Sequence, residues 1–134
     1  MANEPIMKHP QRALQVWSLL VLAARTQTVL SYELVADMTG LPNECGDVLG
    51  YIAFYCMNHK PELPILPSLV VSKATGKPSA DFYRVLDDIA AEQRRCFVYD
   101  WLANGVPRVE ELEEAHEKGK KLEQEYIAKK AAAA

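Results

Sequence analysis

Cys56 and His59 stand three positions apart in a stretch that reads as helix, a spacing that sets a thiol and an imidazole on one face, where they could share a metal ion with Cys45 or Cys96 as a third ligand. A site of that kind needs a second close pair of ligands, and the chain has none, so the adopted reading is a buried cysteine beside a surface histidine. Gly76-Lys77-Pro78-Ser79 has the ending of a phosphate-binding loop, but the upstream glycine is missing and Pro78 interrupts it, which argues against nucleotide binding. Gly-x-Ser-x-Gly, His-Glu-x-x-His and paired-cysteine signatures are absent. The expectation is a non-enzymatic protein with no catalytic residues, no metal and no cofactor.

A second group of residues suits contact with a large partner. Asn43, Glu44, Tyr51 and Asn58 fall on or near the outward side of one expected helix, where polar and aromatic groups could read base edges or meet a protein equally well. Lys73 and Lys77 flank Gly76 in a turn, where two ammonium groups could touch phosphates across a groove or simply be solvated. Arg94-Arg95 could add to a basic surface, though such a pair is usually a solvated helix face. Glu110-Glu111-Leu112-Glu113-Glu114 could imitate phosphates toward a nucleic-acid-binding protein, against the plainer reading of a helix start decorated with favourable acids.

These residues need elements to hold them. Residues before Pro10 are polar and interrupted by Pro5, so 1–10 reads as a loose arm. From Gln11 to about Arg25, Leu14, Trp17, Leu20, Val21 and Ala24 recur at helical spacing. Ser31 can cap a second helix, with Leu34, Val35 and Met38 inward and Glu33 and Asp37 in water. Thr39-Gly40-Leu41-Pro42 breaks it. Asn43 can cap a third helix running to about Asn58, with Val48, Leu49, Ile52, Tyr55 and Cys56 inward, and the pair has a helix-turn-helix outline. Ile65 to Val71 reads as extended, and the basic, glycine-containing turn 72–78 follows it as a wing would. A fourth helix is expected over about Ala80 to Ala103, from Phe82, Val85, Leu86, Ile89, Phe97 and Trp101, ending at Asn104-Gly105. Pro107 opens a charged fifth helix whose apolar stripe is narrow: Val109, Leu112, His116, Gly119, Leu122 and Tyr126.

The stretch Leu30 to Ser79 resembles the DNA-binding half of the alkylguanine-DNA alkyltransferases and alkyltransferase-like proteins. The likeness rests on Tyr32-Glu33-Leu34-Val35-Ala36, Gly40, Val48-Leu49-Gly50 and Pro64-Ile65-Leu66-Pro67-Ser68-Leu69-Val70-Val71, roughly 50 residues by this alignment. The resemblance implies a winged helix that binds DNA. It does not carry the chemistry, because Ser68 stands where the family has its acceptor cysteine, followed by Leu69 and Val70 in place of the activating histidine and the arginine. A serine hydroxyl without an adjacent base is almost wholly protonated and a poor acceptor.

The fold expected is therefore mainly α: a winged helix-turn-helix with a small β wing and two long C-terminal helices, divided as an arm over 1–10, a winged-helix domain over 11–106 and a charged helix over 107–134. The composition of the 134 residues, 49% hydrophobic and 25% charged, suits one core. No stretch is long and apolar enough to cross a bilayer, so no membrane role and a cytoplasmic place are expected. Three cysteines cannot all pair within the chain, which makes reduced thiols the default. Net charge is -3, and residues 31–60 hold Glu33, Asp37, Glu44 and Asp47 against Lys60 alone, which weighs against strong non-specific DNA binding. The leading functional expectation is a regulatory protein of bacterial or phage character that binds double-stranded DNA, dimeric through its last two helices. The narrow stripe of the fifth helix and the exposed-looking Tyr99 and Trp101 point to that homodimer. The alternative is a winged helix that has lost DNA binding and engages or inhibits a partner protein.

Overall fold

The computed structural model describes residues 9–40, 45–78 and 88–133. The chain is mainly helical. Among the described residues, five α-helices, α1 (His9–Arg25), α2 (Tyr32–Thr39), α3 (Cys45–Asn58), α4 (Ile89–Val98) and α5 (Val109–Ala133), enclose the core with two short strands, β1 (Leu30–Ser31) and β2 (Val70–Val71). None of these helices is long and apolar enough to cross a membrane.

α1 buries Trp17, Leu20, Val21 and Ala24 as anticipated from their spacing, joined by Pro10, Ala13, Val16 and Ala23, with Leu14 only partly covered. At its end Gln27 takes a positive φ of 55°, and the Thr28 amide donates to the Ala23 carbonyl, turning the chain toward β1. Ser31 caps α2 by accepting from the Leu34 amide at 3.0 Å, and Gly40 closes it in the left-handed conformation. The buried side of α2 differs from expectation. Val35 and Thr39 face the core, whereas Leu34 is 43% and Met38 50% exposed. Val35 and Thr39 are one turn apart, and the Thr39 hydroxyl donates to the Val35 carbonyl.

α3 is the centre of the molecule, packed by α1 on one side and α5 on the other. Its Val48, Leu49, Ile52 and Cys56 are buried as read from the sequence, joined by Cys45, Ala53, Phe54 and Met57. α5 approaches so closely that a Cβ on Gly119 would run into the ring of Phe54.

The segment expected to be extended from Ile65 is a 3-10 turn over 66–69, with the Ser68 amide donating to the Ile65 carbonyl, and only Val70 and Val71 form a strand. β2 pairs in parallel with β1, Leu30 opposite Val70 and Ser31 opposite Val71. The turn after it is closed by the Ser72 amide on the Lys77 carbonyl and the Gly76 amide on the Ser72 carbonyl.

The fourth helix stops at Val98, short of the Ala103 expected, because Tyr99 adopts an extended conformation and a 3-10 turn over 101–104 follows. That break places Trp101 edge-on against Trp17, ring centroids 5.6 Å apart, with its indole N–H donating to the Cys96 carbonyl. Trp101 is 2% exposed, which corrects its reading as a surface aromatic, and Tyr99 is half-buried. Only α5, of 25 residues, is a long C-terminal helix among those described. The residues expected to begin the fourth helix, Ala80, Phe82, Val85 and Leu86, lie outside the described residues, as do most of the 1–10 arm and the Leu41-Pro42 turn.

Candidate interaction surface

The described residues singled out for contact with a partner fall on two elements, Tyr51 and Asn58 on α3 and Lys73 and Lys77 on the 72–78 turn. Tyr51 is stacked on His116 of α5, ring centroids 3.8 Å apart and planes within 7°, with His9 edge-on to its ring at 6.4 Å. Asn58 donates to the Phe54 carbonyl at 2.8 Å and lines a small cleft between α3 and α5. Of the described α3 side chains only that of Asp47 is exposed. Lys73 and Lys77 are exposed on the 72–78 turn. Asn43 and Glu44 lie outside the described residues.

The cysteines face inward. All three are free and buried, and burial pushes the Cys45 thiol up to about 11 and the Cys96 thiol up to about 12. Cys56 is wholly enclosed and its thiol is raised further still, again by burial. His59, its expected companion, is half-buried with its Nδ1 2.8 Å from the Pro61 carbonyl oxygen. Among the described residues no three His, Cys, Asp or Glu side chains gather as a metal set. Ser68 is fully buried, its Oγ 3.7 Å from the Cys96 Sγ and its carbonyl accepting from Gln93 Nε2. A hydroxyl facing a protonated thiol supplies neither a nucleophile nor a base at neutral pH.

Glu92 went unnoticed in the sequence. Only 7% exposed, it accepts the Ile65 amide on Oε2 at 2.7 Å and pairs with Arg95 through Oε1, tying α4 to the turn that carries Ser68. Its sequence signal, a carboxylate in the first turn of a helix, is indistinguishable from an ordinary exposed acid.

Exposed apolar side chains gather elsewhere. The C-terminal half of α1 and residues 101–106 form a groove of about 410 Å³, lined by Trp17, Val21, Leu22, Arg25, Leu102 and Val106 among others. Its floor is the buried Trp17–Trp101 pair, and its rims are Leu22 at 62%, Leu102 at 68% and Val106 at 66% exposure. Gly105, at φ 70°, supports the turn that sets Leu102 and Val106 on the same rim. Arg25 is the one charged side chain in the lining. A second shallow hollow, of about 490 Å³, lies beside α2 and includes Tyr32, Glu33 and Asp37.

No family model matches the chain, and neither a curated protein nor a solved structure matches it.

Proposed function

We propose that this chain is a non-enzymatic binding module that engages a partner protein through the groove between α1 and residues 101–106. The observation that carries the reading is the exposure of Leu22, Leu102 and Val106 around one tryptophan-floored hollow. Scattered exposed aliphatics are ordinary, but large ones gathered on one concave surface mark contact sites. Arg25 defines the chemistry of the occupant: an apolar segment, best an amphipathic helix, carrying a carboxylate. Covering the exposed parts of three aliphatic side chains supplies roughly 4 kcal/mol before the cost of association. Binding through the groove alone is therefore weak, and the ion pair and its rim decide specificity.

The packing of α3 favours this reading over one in which α3 enters a DNA groove. A recognition helix needs several outward side chains free to reach bases, and here Tyr51 is occupied by His116 while Asp47 points its negative charge outward. Double-stranded DNA is a second reading for one reason, the exposure of Lys73 and Lys77 on a turn closed by two backbone hydrogen bonds.

One experiment separates them. Partner protein captured after nuclease treatment is titrated against the wild type, the Leu102→Asp/Val106→Asp variant and the Lys73→Ala/Lys77→Ala variant. Loss of binding in the first variant alone supports the groove. Binding that survives it, together with duplex DNA binding at low salt that the lysine variant loses, transfers the function to the 72–78 turn.

A further inference from the structure

The far half of α5 overhangs the body of the protein. Leu112, Ala115 and Gly119 are buried, but beyond Gly119 the described side chains are exposed apart from the half-buried Glu123. At 1.5 Å per residue the stretch 120–133 projects roughly 21 Å. These residues are good helix formers, but a helical stretch this short is marginal in isolation and gains from lying against something.

One flank of α5 carries Glu111, Glu114, Lys118, Leu122, Glu125 and Lys129 at spacings of three and four residues, so these side chains share a lengthwise strip. Glu114, Lys118, Leu122, Glu125 and Lys129 are exposed, and Leu122, at 47% exposure, sits one residue from the midpoint of the 109–133 helix. The charge order on the strip is complementary to its own reverse. When a second α5 lies antiparallel with the crossing at Leu122, Lys118 of each copy faces Glu125 of the other, Glu114 faces Lys129, and the two Leu122 side chains meet at the axis. A parallel pair would set like charges opposite each other at every one of these positions.

The body of the protein adds a seat for the overhang. Beside the same strip lies a cleft of about 170 Å³ between α3 and α5, lined by Tyr55, Asn58, His59, Glu111, Glu114 and Lys118 among others. With the crossing at Leu122, the end of the second helix, which carries Lys129, falls over this cleft, where Lys129 joins Glu114, a carboxylate already 3.0 Å from Lys118 of its own chain, while Glu111 stays paired with Arg108. We propose that α5 is a self-association element: two copies of this chain pair antiparallel through the Glu111–Lys129 strip, and the basic end of each overhang lies over the α3–α5 cleft of the other. An antiparallel helix pair has the two-fold symmetry that such a closed dimer requires. The arrangement leaves the groove between α1 and 101–106 open and does not depend on its function.

Sedimentation equilibrium of the full chain tests the pairing. The wild type is expected to be a reversible dimer, weakened by high salt because its pairs are exposed. Leu122→Glu is expected to be monomeric. Lys118→Glu and Glu125→Lys should each weaken dimerisation by about tenfold, since each reverses two symmetry-related pairs, and the double swap should restore it. All these positions are exposed, and unchanged helical circular dichroism confirms that the variants fold. A wild type that stays monomeric at every concentration overturns the proposal. So does a dimer that Leu122→Glu leaves intact, or a double swap no stronger than either single one. Dissociation by Leu102→Asp instead would assign the second copy to the groove.

Discussion

The ring of Phe54 occupies the space that a side chain on Gly119 would need. Gly119 is helical and not conformationally special, so its role is steric: it lets α5 come down onto α3 and close the side of α3 that an exposed recognition helix would have kept open. The same approach sets His116, three residues earlier, flat against Tyr51. One missing Cβ therefore bears on which surfaces of this protein are available to a partner.

Gly119→Ala should destabilise the fold despite improving helix propensity. The overpacking cost is about 1–3 kcal/mol, against a propensity gain of about 1 kcal/mol for replacing a helical glycine. Denaturant unfolding is expected to show a lower midpoint. Phe54→Leu in the Gly119→Ala background should recover part of the loss, since a smaller side chain vacates the contested space. A raised midpoint in the single variant would mean that the two helices do not meet this closely.

Glu92→Ala should cost on the order of 2 kcal/mol, because the buried Ile65 amide loses its acceptor. Glu92→Gln keeps a carbonyl oxygen at the same reach and should cost clearly less. Thermal melts of the two variants side by side check this, and equal losses would show that the hydrogen bond to Ile65 is not what makes the position sensitive.

The three thiols should be inert in the native state. Each is buried, and desolvation keeps Cys45, at about 11, and Cys96, at about 12, protonated well above neutral pH. A thiol-reactive chromophore at pH 8 is expected to titrate none rapidly in the folded protein and all three in denaturant. Fast modification of any one of them in the native protein would place that cysteine at an accessible surface.

Much of the helical skeleton was legible because its cues are local. Ser31 as a cap, Gly40 as a stop and the inward stripe of α1 each follow from residues within a turn or two of one another. What was missed depends on distant partners. The outward placement of Leu34 and Met38 is set by how a short helix rolls onto α1 and α3, which its own eight residues do not encode. Trp101 reads as one more position in a helical stripe until Trp17, far away in sequence, claims its ring. Periodicity reports which residues prefer burial, and it does not say which neighbour buries them. For the candidate surface this mattered more, because Tyr51 and Asn58 are polar enough to suggest an outward face and were covered by a helix whose charge suggested it would stay apart.

Replacing Trp101 by Ala should cost about 3–5 kcal/mol, the range for truncating a buried aromatic, and should also open the floor of the groove. Its indole leaves both the edge-on contact with Trp17 and the hydrogen bond to the Cys96 carbonyl. Trp101→Phe keeps most of the packing and loses only the N–H, so it should fall well short of that cost. Chemical denaturation measures both; near-neutral behaviour of Trp101→Ala would show that the 101–104 turn does not anchor the groove.

Stability should fall as the pH drops below the ordinary histidine range, and His116 should be responsible. Burial against Tyr51 and Phe54 lowers its affinity for a proton, helped by Lys120 and His9 and opposed by Asp47 and Glu117. With the folded value depressed, the unfolded chain takes up the proton first as pH decreases. Between the unfolded value near 6.5 and the lower folded value the unfolded state binds more protons, so stability rises with pH across that window and levels off above it. His116→Phe keeps a flat ring on Tyr51 and removes the titration, so its denaturation midpoint should vary less between pH 5 and pH 7.5 than that of the wild type. An equal or steeper dependence in the variant would show that another group carries the effect.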